Sequence, residues 1–115
     1  WYYVDEEDFS ARGPSVLNAY KTIFEVRPSR RGDIARAHFY MVARYRYDPN
    51  VNLDDTVRDD AGSIRDDEEQ FLRRWHHEDP VDERERERND RIEAEQGNRN
   101  PFVDRPDFVE HISDF

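Results

Sequence analysis

The chain has 115 residues, of which 40% are charged and 35% hydrophobic, and its formal net charge is -10. This length supports one modest core, and the excess of acid argues against autonomous nucleic-acid binding, which usually needs a basic surface. The lack of cysteine excludes disulfides and thiolate metal sites, and no apolar run approaches the roughly 20 residues of a membrane span.

The N-terminal part, residues 1–28, is predicted to consist of a strand and a loop that lead into the first helix. Trp1 to Val4 is a β-prone aromatic run that indicates a short strand. The acidic residues after it indicate a loop, and the apolar residues of 16–26 fit a short helix or an extended segment equally well. A chain that begins in the middle of a strand, without methionine, suggests truncation or processing.

Residues 29–47 carry the clearest helical pattern in the chain. Ser29 is interpreted as the N-cap, and Asp33 follows where the helix dipole favours negative charge. Apolar and aromatic residues then recur at spacings of three and four and predict one buried stripe. The stripe consists of Ile34, His38, Met41, Val42 and Tyr45, with Ala35 and Phe39 beside it.

Residues 48–66 are rich in Asp and Asn, and a mobile acidic loop is predicted there. The remaining segment, 67–115, is predicted to be helical. A first helix covers 67–77 and ends before Pro80, because proline displaces the preceding residue from the helical region.

A second helix is predicted over 80–96, with Asp79 as N-cap and Pro80 at the first helical position. Gly97 is the expected stop. A polar loop over 97–102 then leads to a short helix over 106–112, which is expected to present Phe108, Val109 and Ile112 to the core. His111 is interpreted, like His38, as a histidine of an apolar helix face.

The sequence His76-His77-Glu78-Asp79 offers imidazole and carboxylate groups of the kind that bind metals. Adjacent residues of a helix point about 100° apart. The two imidazoles therefore do not face one ion in a regular helix, and a structural role is favoured. No metal ligand is assigned here.

Two segments resemble the bacterial endonuclease I family of nucleases. The first runs from Arg31 to Met41 and contains Gly-Asp-Ile-Ala-Arg. The second, from Leu72 to Asp104, contains Leu-x-x-Trp-His-x-x-Asp-Pro-Val, Glu-x-x-Arg-Asn and Gln-Gly-Asn-Arg-Asn-Pro-Phe. The signature residues expected to be structural are Gly32, Asp33, Trp75, His76, Asp79, Pro80, Arg88, Asn89, Gln96, Gly97 and Phe102.

This resemblance implies a mixed α/β fold around a ββα-metal motif, of which the present chain is the mainly α, C-terminal portion. It also implies magnesium (Mg2+)-dependent, sequence-nonspecific cleavage of DNA, with RNA as a further substrate to test, and a secreted or periplasmic location. In the family, the general-base histidine, its preceding glutamate and the metal-binding asparagine lie upstream of Gly-Asp-Ile-Ala-Arg. Residues 1–30 contain no histidine, so no catalytic residue is carried over.

Four residues of the two segments are candidates for contact with nucleic acid: Arg36, Asn98, Arg99 and Asn100. An arginine fork and amide donors suit phosphate oxygens. The alternative for Asn98 to Asn100 is that they satisfy the backbone of a tight turn. Arg36 is either a phosphate contact or a buried partner of a carboxylate such as Asp33 or Asp79.

The leading hypothesis is therefore one partial domain, inactive alone, that supports a catalytic unit in a missing upstream segment or companion chain. Two alternatives remain. One is a complete enzyme with His76 or His77 as general base, and the other is an acidic protein-interaction module. The arginines of 83–88 are interpreted as part of a solvated, ion-paired helix face.

Overall fold

The computed structural model describes residues 2–4, 16–18, 23–45 and 63–115, with side chains for 26–45 and 63–115. Three short strands come first: β1 (Tyr2–Val4), β2 (Val16–Asn18) and β3 (Ile23–Glu25). A 3-10 turn (Pro28–Arg30) leads into α1 (Arg31–Tyr45), and four helices follow: α2 (Asp66–Glu78), α3 (Glu83–Gln96), α4 (Pro101–Asp104) and α5 (Phe108–His111). The described part is mainly helical, as the sequence predicts, and most of the predicted loop, 48–62, lies outside it.

The three strands form one small sheet in the order β1-β3-β2. β1 runs parallel to β3, with Tyr2 opposite Ile23, and β2 runs antiparallel to β3, with Val16 opposite Glu25. The predicted N-terminal strand is thus present. The segment whose helical or extended state was left open contributes two strands.

The start of α1 corrects the N-cap prediction at Ser29. The 3-10 turn begins after Arg27, with Pro28 at its first positions, and continues into α1 at Arg31. Proline suits this place because its fixed φ is already helical and its missing N–H has no partner to lose. Ser29 lies inside the turn and caps nothing.

The buried face of α1 is shifted from the predicted stripe. The most deeply buried residues are Gly32, Asp33, Ala35, Arg36, Phe39 and Val42, whereas Ile34, His38, Met41 and Tyr45 are only half-buried. Because a fully buried arginine, Arg36, lies in the middle of this face, a pattern of apolar residues does not reveal the face. The predicted stripe was therefore right for Val42, whereas most of its other residues are less buried than predicted.

The core lies between α1, α2 and the C-terminal residues. Leu72, Trp75 and Phe39 are fully buried, and the Phe39 ring stacks on Phe115 with centroids 4.3 Å apart. Phe102 packs edge-on against both rings. Burial of each such side chain is worth about 1.5–3 kcal/mol, so α2 and the end of the chain hold α1 in place.

The C-terminal residue is fixed by the backbone as well as by its ring. Ile64 N–H donates to the Phe115 carbonyl at 2.9 Å, and Phe115 N–H donates to the Glu69 carboxylate at 3.2 Å. Arg73 donates to carbonyl oxygens of Val109 and Ile112. The segment after α4 is therefore tied to α2 by hydrogen bonds along its length.

The prediction that Asp79 and Pro80 begin the second C-terminal helix was wrong. α3 begins at Glu83, and its N-cap is Asp82, whose carboxylate accepts from Glu85 N–H at 2.8 Å. An Asp at the N-cap and a Glu three residues later make the capping-box pattern. The predicted stop at Gly97 is confirmed, with a left-handed φ of 76°.

The predicted polar loop contains a short helix, α4, capped by Asn100 with Pro101 at its first position. The last helix is shorter than predicted, and only Val109 of its apolar residues is fully buried. Phe108 is 38% exposed and His111 is exposed, so neither belongs to the core. Within the described ranges, none of the helices has the length and hydropathy to traverse a bilayer.

Candidate functional site

Arg36 joins three helices at a buried position. Its side chain is fully buried, and its Nε and Nη2 donate to the two carboxylate oxygens of Glu85 at 2.7 and 2.6 Å. Nη1 donates to the Asp79 carbonyl at 3.0 Å and lies 3.3 Å from Nδ1 of His76. We call Arg36, Glu85, His76, Asp79 and Asp33 the Arg36 cluster.

Gly32 lets α1 approach this cluster closely. Its N–H donates to the Asp79 carboxylate at 2.9 Å. A Cβ at position 32 would overlap the Asp79 carbonyl oxygen and lie 2.6 Å from Nη2 of Arg36. Asp33, on the same turn, accepts from Arg30 at 3.0 Å and lies 3.8 Å from Arg36. The Asp79 carboxylate is thus used by α1, which explains why it does not cap α3.

His76 is held at both ring nitrogens. Because an arginine can only donate, Nδ1 of His76 accepts from Arg36, and Nε2 is the protonated nitrogen that donates to the Pro106 carbonyl at 3.1 Å. Burial lowers the pKa of His76, and the charges of Arg36 and His77 lower it further. A neutral imidazole with both nitrogens engaged is a structural link rather than a general base.

His77 occupies a different environment. It is exposed, and its Nε2 lies 2.9 Å from a carboxylate oxygen of Glu110. The pair borders a cavity of about 350 Å³ that Arg86 also lines. The rings of His76 and His77 engage different partners and do not converge on one ion.

The buried carboxylates of the Arg36 cluster resist ionisation. Burial raises the pKa of Glu85 despite its bonds to Arg36, and the nearby Asp33 raises it further. Burial also raises the pKa of Asp79, although the hydrogen bond from Gly32 opposes this. Desolvation therefore outweighs pairing at both groups.

Asn100 links α1, α3 and α4. Asn89 donates to its carbonyl at 3.1 Å and accepts from its N–H at 2.8 Å. The Asn100 side chain donates to the Arg36 carbonyl at 2.9 Å and accepts from Phe102 N–H at 2.9 Å. Of the two roles left open by the sequence, turn stabilisation is the one that these bonds support.

Arg99 is surrounded by carboxylates. It makes a bidentate pair with Asp104 at 2.6 Å and further pairs with Glu93 at 2.6 Å and Asp90 at 3.0 Å. Asp104 and then Glu93 raise the pKa of Arg99 and keep it charged. Its fork is occupied by these neighbours, whereas Asn98 is half-exposed and borders a cavity between α1 and α3.

Among the described residues, one group of acidic side chains places its ligand oxygens within 4.8 Å of one another: Asp66, Glu69 and Asp114. Oxygen donors of this kind suit magnesium. One oxygen of Glu69, however, already accepts from Arg73 at 2.8 Å and from Phe115 N–H. This oxygen of Glu69 anchors the C-terminal residue, and the histidine and asparagine of the family's metal motif are not part of the group.

Sequence reasoning missed Glu85 as the partner of Arg36. Glu85 lies in a run of alternating charges that indicates a solvated face, yet it is 5% exposed while its neighbours are exposed. The sequence feature that could have identified it is its position three residues after Asp82, because this spacing places Glu85 in the first turn of α3.

Most of the chain, residues 6–107, matches the family model described as Endonuclease I. Two curated relatives are each named extracellular ribonuclease. That of Bacillus subtilis (strain 168) is 40% identical over 93 residues, and that of Bacillus amyloliquefaciens is 37% identical over 93 residues. Each alignment covers 77% of this chain and 32% of the relative, so the chain spans about a third of the length of these proteins.

Proposed function

Because this chain belongs to the endonuclease I family, we propose that it is the helical supporting part of a secreted nuclease that hydrolyses phosphodiester bonds. The observation that carries the proposal is the Arg36 cluster. It brings together residues of Gly-Asp-Ile-Ala-Arg, Trp-His-x-x-Asp-Pro and Glu-x-x-Arg-Asn at one buried point.

The supporting role follows from what the cluster fixes. Arg31 donates to the Val26 carbonyl at 3.0 Å, directly after β3. Gly32, the next residue, and Arg36, about one turn further along α1, both bind Asp79. The first turn of α1 is therefore held between the sheet and α2. Groups positioned on that side of the molecule gain a rigid frame, which catalytic geometry requires.

The proposed substrate is nucleic acid of either kind. The relatives are named for ribonuclease activity, and the family description names an endonuclease. Hydrolysis of the backbone needs no reading of base edges. We accordingly expect cleavage of both DNA and RNA without sequence preference.

Magnesium belongs to the proposal for the whole protein. The ion, when bound, stabilises developing charge on the phosphate and the leaving oxygen. In the acidic group of Asp66, Glu69 and Asp114, one oxygen of Glu69 is used by Arg73 and by the C-terminal backbone, and the group contains no histidine. We therefore place the ion's ligands in another part of the protein and expect the 115-residue chain alone to be inactive.

The test is cleavage of supercoiled plasmid and of single-stranded RNA, with magnesium and with a chelator. The 115-residue chain is compared with a longer protein in its native reading frame. Activity of the longer protein alone, lost on chelation, is the expected result. Robust magnesium-dependent cleavage by the short chain would overturn the supporting role, and failure of both proteins on both substrates would overturn the nuclease.

The alternative of an active short chain concerns His77 and Glu110, because a histidine that contacts a carboxylate is a candidate for a general base. If the short chain were active, His77→Asn would identify this pair as its base by abolishing cleavage. His76→Asn is the matched substitution, because His76 has both nitrogens engaged. Retained cleavage in the variant that carries both changes would exclude the two histidines.

A further inference from the structure

A cavity of about 250 Å³ lies between α1, α3 and the residues that follow Gly97. Its walls are apolar and aromatic, formed by Tyr40, Met41, Tyr45, Ile92 and Val103. The Tyr40 and Tyr45 rings meet edge-on with centroids 6.5 Å apart. A concave apolar site with a few polar groups is typical of small-molecule binding.

The polar groups of this cavity are of two kinds. The first kind is buried: the carboxylates of Asp33 and Glu85 line the cavity and already accept from Arg30 and Arg36. Tyr40 also lines the cavity, and its hydroxyl is buried and has no hydrogen-bond partner in the described part of the chain. Buried hydroxyls are usually bonded, so the Tyr40 hydroxyl is a group for which a ligand would supply the partner.

The second kind is accessible to solvent and consists of Arg88 and the half-exposed Asn98. Arg88 is exposed and forms no ion pair with any described residue, unlike Arg91 and Arg99, which follow it in the sequence. An arginine with free N–H groups beside a cavity suits a phosphate. The buried carboxylates repel a phosphate, so a ligand that carries a phosphate and a neutral ring must place the ring inside the cavity and the phosphate at Arg88.

We infer that this cavity takes one nucleotide of the substrate strand, with its base between α1 and α3 and its phosphate on Arg88. A planar base stacks on tyrosine rings without regard to sequence. Its edge meets the Tyr40 hydroxyl and the acceptor oxygens of Asp33 and Glu85, which suit the exocyclic amino groups of cytosine, adenine and guanine alike. The inference rests on the proposed nuclease function and names where a substrate nucleotide binds on the supporting part.

The probe is cytidine monophosphate, titrated into the 115-residue chain and followed by backbone amide NMR shifts. Cytidine and ribose 5-phosphate test the base and the phosphate separately. Arg88→Ala is expected to weaken binding of the monophosphate about 10-fold and to leave cytidine unchanged, and Tyr40→Phe to weaken both about 3- to 10-fold. Arg84→Ala, an exposed arginine of the same helix that pairs with Asp82, is the matched control and should change neither.

The expected shifts fall on α1, on α3 and on residues 97–100. The inference is overturned if shifts map elsewhere, if ribose 5-phosphate binds as well as the monophosphate, or if Arg84→Ala weakens binding as much as Arg88→Ala. Cleavage by the longer protein is read independently. Cleavage by the longer protein without binding of cytidine monophosphate in this cavity would overturn this inference alone. Binding in this cavity without cleavage of DNA or RNA would overturn the proposed nuclease and leave a nucleotide site.

Discussion

Replacing Arg36 by Met removes the donor that Glu85, the Asp79 carbonyl and His76 share. Glu85 then stays in a place where its side chain is 6% exposed. Breaking a buried pair by removing one partner costs about 3–5 kcal/mol, because the remaining charge is uncompensated. Burial already raises the pKa of Glu85, so the carboxyl escapes part of this cost by taking up a proton. We expect a loss near 3 kcal/mol at about pH 7 and a smaller loss at about pH 5.

The assay is urea unfolding followed by the circular dichroism of the helices. Arg91→Met is the matched control, since it breaks an exposed pair with Glu87 at 3.6 Å and should cost less than about 0.5 kcal/mol. The double variant Arg36→Met/Glu85→Leu removes both charges and should recover at least half of the loss.

A loss below about 1 kcal/mol for Arg36→Met, or a double variant as unstable as the sum of the single ones, would refute the cluster as a coupled buried pair. Native stability is commonly only 5–15 kcal/mol, so the Arg36 variant could fail to fold. Glu85→Gln then gives the same test, because it keeps the side-chain shape and removes only the charge. Its expected loss exceeds that of Glu87→Gln on the exposed side of α3.

Three further outcomes follow from the same contacts. Gly32→Ala places a Cβ against the Asp79 carbonyl and should cost about 1–3 kcal/mol in urea unfolding. Gly97→Ala has open space around the new Cβ but a left-handed φ, and it should cost about 1 kcal/mol. Equal losses below about 0.5 kcal/mol, the effect of a surface change, would contradict the close approach of Gly32 to Asp79. Asn100→Ala loses the cap of α4 and the bond to the Arg36 carbonyl and should cost about 1–2 kcal/mol, against less than about 0.5 kcal/mol for the half-exposed Asn98→Ala. The pKa of His76 is lowered from 6.5, so the unfolded chain binds more protons between the folded pKa and 6.5, and the free energy of unfolding should rise with pH through that window. The raised pKa values of Glu85 and Asp79 act in the opposite direction at lower pH, so the difference between the native chain and His76→Gln isolates the histidine; a difference that does not vary with pH would count against it.

Local sequence decided much of the helical framework. Asp66–Glu78 was predicted within one residue at each end, and Gly97 stops α3 because it adopts a left-handed φ that other residues rarely reach. Proline at Pro28 begins a helical turn for a similar local reason. These features depend on residues within a few positions of each other, so a pattern in the sequence is sufficient to predict them.

Two similar sequences, each a capping residue followed by proline, have different roles in the fold, and only the tertiary structure decided which one begins a helix. Asp79-Pro80 and Asn100-Pro101 both have the sequence of an N-cap followed by proline. Asn100 caps α4, whereas the Asp79 carboxylate binds Gly32, 47 residues away in the chain. A backbone donor brought in by α1 competes for the same oxygen that a cap would use.

The role of Arg36 was also decided by long-range contacts. The sequence left both a phosphate contact and a buried carboxylate pair open, and named Asp33 or Asp79 for the pair. In the fold, Arg36 pairs with Glu85, 49 residues away, at a position without exposure to solvent. The sequence by itself therefore determined the presence of the three long helices, the stop at Gly97 and the resemblance to the family. The start of α3 and the partners of buried charges depended on which helices pack together, because burial makes pairing obligatory only after the chain has folded.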